Sequence, residues 1–254
     1  MTTTVYPCLR DKVVFITGGG MGIGASLVEH FCAQGSAVAF VDIAEAPSRA
    51  LVDRIAADGH RKPLFLPCDV RDIAALRAAI AEVAATLGTI TVLVNNAAHD
   101  ERHKLEDVTP EYWDERFDVN LRHQFFAAQA VAEGMKAAGG GSIINFGSTS
   151  WMIGQGGMAA YTAAKSANLG LTRSLARDLG EFNIRVNSIA PGWIMTQRQI
   201  EKWLTPEGVE ELMRRQCLKR KLQPADIARV VLFFASEDSS AMTNQSYIVD
   251  GGWV

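Results

Sequence analysis

A chain of 254 residues with 48% hydrophobic and 21% charged residues has the make-up of an ordinary globular protein, with ample apolar surface for a core and no signature of disorder. Its 25 basic and 28 acidic side chains leave a net charge of −3, with neither sign in blocks. That excludes the electrostatic footprint of a nucleic-acid or anionic-membrane partner and points to a small molecule.

The opening, Met1 to Pro7, has neither the basic n-region nor the apolar core of a signal peptide, so a cytoplasmic location is expected. An apolar, β-rich run, Lys12–Thr17, leads into a glycine cluster and then a helical stretch from Met21 to Gln34. Further short apolar runs follow at Ala37–Val41, Pro63–Pro67, Ile90–Val94, Ser142–Phe146, Ile184–Ile189 and Ser246–Val249. Between them lie segments of helical period, such as Ile73–Leu87 with apolar residues at 73, 76, 80, 83, 84 and 87. Thr109-Pro110-Glu111 and Thr205-Pro206-Glu207 each join a capping hydroxyl, a first-turn proline and an acid at the positive end of the helix dipole. The uncharged stretch from Ala137 to Ala164 is long enough to cross a bilayer but carries seven glycines and several polar side chains, so no membrane span is expected. Continuously apolar strands alternating with helices predict an α/β fold: a doubly wound parallel sheet of about seven strands with helices on both faces. No linker or repeat divides the chain, so one domain over 1–254 is expected, with a substrate lid around 193–217.

Thr17-Gly-Gly-Gly-Met-Gly-Ile-Gly24 falls directly after the first strand and opens a helix. In that context Gly18 permits a tight turn, Gly22 a close approach of pyrophosphate to the backbone, and Gly24 close packing of helix on strand. Phosphate would sit at the positive helix N-terminus. Asp42 ends the second strand eighteen residues beyond Gly24, where a carboxylate accepts hydrogen bonds from a ribose and repels a 2′-phosphate. The residues after it supply no arginine, and Arg49 is too far along to count, so NAD is expected over NADP.

Tyr161 and Lys165 stand four apart, on one face of a helix. A nearby ammonium favours the phenolate and brings a phenol of pKa ~10 toward catalytic range. Together with the glycine motif, Asn95-Asn-Ala-Ala98, Asn120, Ser148 thirteen residues before Tyr161, and Pro191-Gly192, the pattern resembles the short-chain dehydrogenase/reductase family over essentially the whole chain. The resemblance implies a Rossmann-type fold and gives roles by position. Tyr161 matches the acid/base, Lys165 the phenol-tuning and ribose-holding lysine, Ser148 the substrate-orienting hydroxyl, and Asn120 the residue that keeps a water in the proton relay. Gly18, Met21, Gly22, Ile23, Gly24 and Asp42 match cofactor positions, as do Asp69 and Val70 near the adenine and Asn95 after the fourth strand. Tyr161 and Lys165 also touch the cofactor, and Pro191, Ile194 and Thr196 flank the nicotinamide. Ala98 departs from the glycine common there.

The variable segments decide the substrate. His99-Asp-Glu-Arg-His-Lys104 and Trp193 to Trp203 give a site mouth rich in hydrogen-bonding groups, to which Trp151 and Gln155 add a flat wall and an amide. Such a rim suits a polyhydroxylated ring better than a lipid. Strings such as Asp100-Glu-Arg-His-Lys-Leu105, Tyr112-Trp-Asp-Glu-Arg116 and Thr205-Pro-Glu-Gly208 resemble the bacterial aldose 1-dehydrogenases of the family, especially the D-xylose type. This implies NAD-dependent oxidation of a sugar at C1 to the lactone, with Ser148, Trp151, Gln155, Tyr161, Trp193 and His99 as candidate substrate contacts. The alternatives are a ketone or 3-oxoacyl reductase, disfavoured by Asp42, and a non-catalytic dinucleotide sensor, which has no need for Asn120, Ser148, Tyr161 and Lys165 together. His99 and His103 lie four apart, but the segment breaks zinc spacing and no metal is expected. Apolar helices around Phe125–Met135 and Leu169–Leu179, with the family resemblance, imply a homotetramer. The four cysteines show no metal spacing and are expected to be reduced and inert.

Overall fold

The continuously apolar runs form strands buried on both faces, where no polar alternation is needed. β1 (Val13–Thr17), β2 (Ala37–Asp42), β3 (Leu64–Pro67), β4 (Ile90–Asn95), β5 (Gly141–Phe146), β6 (Ile184–Pro191) and β7 (Ser246–Val249) pair in parallel, in the order β3-β2-β1-β4-β5-β6-β7. The computed structural model describes residues 4–254, so the expectation of no leader segment falls partly on residues 1–3, outside them. Nine α-helices are found among the described residues: α1 (Gly22–Ala33), α2 (Glu45–Ala57), α3 (Ile73–Leu87), α4 (Pro110–Phe117), α5 (His123–Ala137), α6 (Ala159–Leu179), α7 (Gln197–Lys202), α8 (Pro206–Arg215) and α9 (Pro224–Ala235). None is long and apolar enough to cross a membrane.

Successive strand residues point to opposite faces, and the two cores sort by that parity. Phe15, Ala39, Leu93 and Ile143 pack with α3, α5 and α6, whereas Val14, Ile16, Phe40, Val94 and Ile144 pack with α1, α2 and α9. Phe15, Phe31 and Phe40 are fully buried, and truncating any one to alanine should cost about 3–5 kcal/mol. The strand order reverses between β1 and β4: β1 leads to β2 on one side, and the chain returns through α3 to β4 on the other. The carboxyl ends of these strands open a crevice at that switch point.

Both predicted threonine caps form, Thr109 accepting from the Tyr112 amide at 3.2 Å and Thr205 from the Gly208 amide at 3.1 Å. Between α4 and α5 the backbone runs through a π-helical turn, Asp118–Arg122, which carries Asn120. Under the crevice, buried amides tie helices to strands. Asn95 Nδ2 donates to Asn145 Oδ1 at 2.9 Å and to the Gln124 carbonyl at 3.2 Å, Asn145 Nδ2 to Thr172 Oγ1 at 3.1 Å, Asn168 Nδ2 to Gln124 Oε1 at 2.5 Å, and Ser188 Oγ to Asn168 Oδ1 at 2.6 Å. All four cysteines are free; burial pushes the Cys32 thiol up to about 12 and the Cys68 thiol to about 11, while Cys217 is exposed.

Candidate active site

At the β1–α1 turn the backbone leaves no space for side chains. A Cβ on Gly24 would lie 1.8 Å from the Gly18 carbonyl oxygen, one on Gly18 would lie 2.8 Å from Ala97 Cα, and Gly18 and Gly22 hold φ of +67° and +56°. Met21 stands at the N-cap of α1 and supplies no side-chain cap, and the first turn carries no acid. The leading amides therefore lack a side-chain partner, which suits a phosphate. Asp42 faces this turn: Oδ2 accepts from the Gly20 amide at 2.8 Å and Oδ1 from the Ala44 amide at 2.9 Å. Arg49 is paired with Glu45 at 3.0 Å and lies over the Phe65 ring, so it leaves Asp42 without an arginine beside it. A cradle that admits no Cβ, an uncapped helix start and a fixed carboxylate fit a dinucleotide.

Two expected cofactor positions differ in detail. Asn95 is fully buried and its amide points to Asn145 and α5, because it shares a face of β4 with Leu93. Asn96 reaches the cavity instead, with Nδ2 donating to the Thr17 and Gly18 carbonyls at 3.1 and 2.8 Å. Asp69, after β3, is engaged by Arg71, whose Nε donates at 3.0 and 2.9 Å to its two oxygens. That hydrogen-bonded guanidinium outweighs burial and holds the Asp69 carboxyl below the usual range, while Val70 beside it is buried.

The crevice holds a cavity of about 670 Å³. Ser148, just after β5, and Tyr161 and Lys165, one turn apart on α6, all open onto it, with Ile23, Pro191, Ile194 and Thr196 on the same wall. The Ser148 hydroxyl lies close enough to Tyr161 to favour its phenolate. Lys165 Nζ donates to the Phe146 carbonyl at 2.8 Å and lies 5.8 Å from the Tyr161 ring centroid. Burial pulls the Lys165 ammonium down to about 7. Burial also pushes the Tyr161 phenol up, the charge of Asp100 adds to that, and the Ser148 hydroxyl opposes it. Desolvation is the largest cause for both groups.

Asn120 is not brought to the cavity surface. Its Nδ2 donates to the Arg116 and His99 carbonyls at 2.9 and 3.2 Å and its Oδ1 accepts from the His99 amide at 2.9 Å, so it pins the loop after β4. His99 likewise stays behind the wall. Its Nδ1 meets Arg116 Nη1, its Nε2 lies 3.2 Å from Glu101, and burial with the flanking guanidiniums Arg116 and Arg198 pulls its imidazole down. Nε2 also lies 3.2 Å from Arg198 Nη2, so each ring nitrogen faces a guanidinium. Trp151 is half-buried and off the cavity, while Gln155 and Trp193 line it.

From the two segments expected at the mouth, Asp100, Arg102, Gln199 and Trp203 line the cavity, and Trp253 joins them from outside both. Trp193 Nε1 donates to Gln199 Oε1 at 2.9 Å, and the Arg102 guanidinium stacks 4.3 Å from the Trp203 ring centroid. Thr196 caps α7 and stands 3.1 Å from where a Cβ on Gly22 would fall, so the segment leading into α7 abuts the glycine turn.

A family model described as enoyl-(acyl carrier protein) reductase matches residues 18–254. The chain is 51% identical over 252 residues to a protein of Rhizobium meliloti described as a probable galactose dehydrogenase, covering 99% of this chain and 98% of that one. It is 49% identical over 253 residues to the D-xylose 1-dehydrogenase of Caulobacter vibrioides, covering all of both. Among solved structures, a blue fluorescent protein from a metagenomic library in complex with NADPH superposes with a TM-score of 0.88 at 36% identity, over 97% of this chain and 99% of that one. With the parallel sheet, the glycine cradle and the Ser148, Tyr161 and Lys165 wall in place, this chain belongs to the short-chain dehydrogenase/reductase family and is an oxidoreductase that works with a nicotinamide dinucleotide.

Proposed function

We propose that this chain oxidises an aldose such as D-xylose, L-arabinose or D-galactose at C1, giving the lactone, with NAD as the dinucleotide. The observation that carries this is identity near one half, over the full length, to two relatives named for sugar oxidation. The cavity supports it, since carboxylate, guanidinium, amide and indole groups from Asp100, Arg102, Gln155, Gln199, Trp203 and Trp253 share its wall. Such a lining pairs with several hydroxyls and offers flat faces to a ring.

In this reading Ser148 orients the reacting hydroxyl and Tyr161 takes its proton as the general base. A nicotinamide dinucleotide held at the glycine turn would supply the hydride acceptor. Lys165, fixed by the Phe146 carbonyl, lies beside the phenol to bias its charge, and Asn120 serves by holding the 99–104 loop. Asp42, with no arginine beside it, favours NAD over its 2′-phosphorylated form. The segment 193–217 acts as the lid. The half-exposed Phe125 and Trp113 on α5 and α4 suit burial between subunits of a homotetramer in the cytoplasm. The likeness, at 31% identity and a TM-score of 0.89, to the 3-oxoacyl-(acyl-carrier protein) reductase of Brucella melitensis favours a second reading, reduction of the 3-oxo group of an acyl thioester.

A panel of free aldoses assayed with NAD and NADP by nicotinamide absorbance, with NMR of the product, separates the two. Aldose-dependent NADH formation with a 1,5- or 1,4-lactone product is expected. A panel blank on every sugar but active on a 3-oxoacyl thioester with NADPH would reverse the assignment.

A further inference from the structure

Asp100, in the loop after β4, lines the cavity that Ser148 and Tyr161 also line, as Glu211 does from α8, and two side chains from a helix 98 and 99 residues away hold it. Arg198 Nε donates to its Oδ1 at 2.9 Å and Gln199 Nε2 to its Oδ2 at 2.6 Å. Arg198 also reaches Glu101 at 3.4 Å, and Gln199 is itself fixed by the Trp193 indole. The side chain is 21% exposed. Burial opposes its ionisation, but the Arg198 and Gln199 hydrogen bonds outweigh it and hold the carboxyl below the usual range. Its charge raises both Tyr161 and Lys165, so it stands within electrostatic reach of the reacting end.

An ionised carboxylate offers about four acceptor positions and no donor. With one protein donor on each oxygen, acceptor capacity remains on a group that opens to the cavity, and only a donor can use it. A hydroxyl of the ligand supplies that donor; an apolar ring does not.

We propose that Asp100 is the specificity-determining residue that accepts a non-reacting hydroxyl of the substrate, and that Arg198 and Gln199 are positioning residues that aim its carboxylate from α7. This rests on the polyol reading above. It also explains why the lid and the 99–104 loop carry charge of both signs: selection for hydroxyls is made by a contact between the two.

The test compares an aldose with cyclopentanol, which has the reacting carbinol and no second hydroxyl. In wild type the aldose is the better substrate. Asp100→Asn should raise the aldose KM about 10–100-fold, with a much smaller change for cyclopentanol, because a hydrogen bond to a charged group is lost for one substrate only. It should also move the acid limb of the pH profile slightly toward lower pH, since burial still holds the Tyr161 phenol up but the added push of the Asp100 charge is gone. Arg198→Ala and Gln199→Ala, which keep the carboxylate, should raise the aldose KM about tenfold with kcat held, and Arg198→Lys should restore part of it. Fluorescence titration with NADH checks that each variant is folded and binds the dinucleotide. Equal changes of KM for both substrates, or an unchanged aldose KM in Asp100→Asn, would overturn the role of Asp100. An unchanged aldose KM in Arg198→Ala and Gln199→Ala would overturn the positioning. A wild type that oxidises cyclopentanol and no aldose fails at an earlier step, sinks the polyol reading, and takes this proposal with it.

Discussion

Across the crevice, the β1–α1 turn and the rim face each other with opposite construction. At the turn, a single carbon added to Gly18, Gly20 or Gly24 would lie within 3 Å of a neighbouring atom. At the rim, Arg102, Arg198, Gln199, Trp193 and Trp203 fill the space with long side chains that meet only at their ends. A site made of backbone admits almost no variation and binds what every relative binds. A site made of side-chain ends is re-aimed by single substitutions, and that is where a substrate is chosen.

The comparison breaks most directly at Tyr161, where the two regions meet. Tyr161→Phe should leave NADH affinity nearly intact and lower turnover about 10²–10⁴-fold, the usual scale for a lost general base. Most of the turnover surviving would remove Tyr161 from the chemistry. Because burial holds the phenol protonated, wild-type oxidation should climb with pH through the neutral and alkaline range. A rate flat in pH would contradict that.

At the turn itself, Gly24→Ala should cost about 1–3 kcal/mol of stability and weaken dinucleotide binding, since a Cβ 1.8 Å from the Gly18 oxygen has only backbone to displace. Denaturant midpoints and NADH titration measure the two effects. An alanine variant as tight and as stable as wild type would mean that the cradle is looser than its geometry.

Beneath both regions, His123 is fully buried against Thr17, and burial with the nearby Lys165 pulls its imidazole down to about 3. The unfolded chain takes up that proton near pH ~6.5, while the folded chain does not. The stability this provides is complete above 6.5 and is lost as pH falls toward 3, at a slope of about 1.4 kcal/mol per pH unit. Urea midpoints from pH 7 to 4 should show it, and His123→Gln should flatten the slope. The smallest effect is one of preference. Asp42→Ala should raise the NADP to NAD ratio of kcat/KM about tenfold by ending repulsion of the 2′-phosphate. A wild type that already prefers NADP would overturn the assignment of Asp42.

Legibility in the sequence followed the same division. The strands, the glycine turn, Asp42 and the Tyr161–Lys165 spacing were readable because local geometry or period fixes them. Asn95 and Asn96 were told apart only by strand parity: Asn95 shares its face with Leu93 and goes to α5. The engagement of Asp69 by Arg71 is local but competes with a ligand, which spacing does not reveal. The π turn that turns Asn120 onto the His99 backbone leaves no sequence mark. Asp100 meets Arg198 and Gln199 through the fold alone, and Trp253 enters the cavity from a chain end with no motif around it.

The amide ladder that joins Asn95, Gln124, Asn145, Asn168, Thr172 and Ser188 couples β4, β5, β6, α5 and α6 through groups shielded from water. Loosening any one of these elements strands several buried polar groups at once, so they open together or not at all. In amide hydrogen exchange the strands and helices that carry Ser148, Tyr161 and Lys165 should therefore exchange only by global unfolding, as one cooperative unit. Short α7 and α8, with a single fully buried side chain between them, should exchange by local opening orders of magnitude sooner. The reacting groups would then keep their arrangement through every opening that admits or releases substrate.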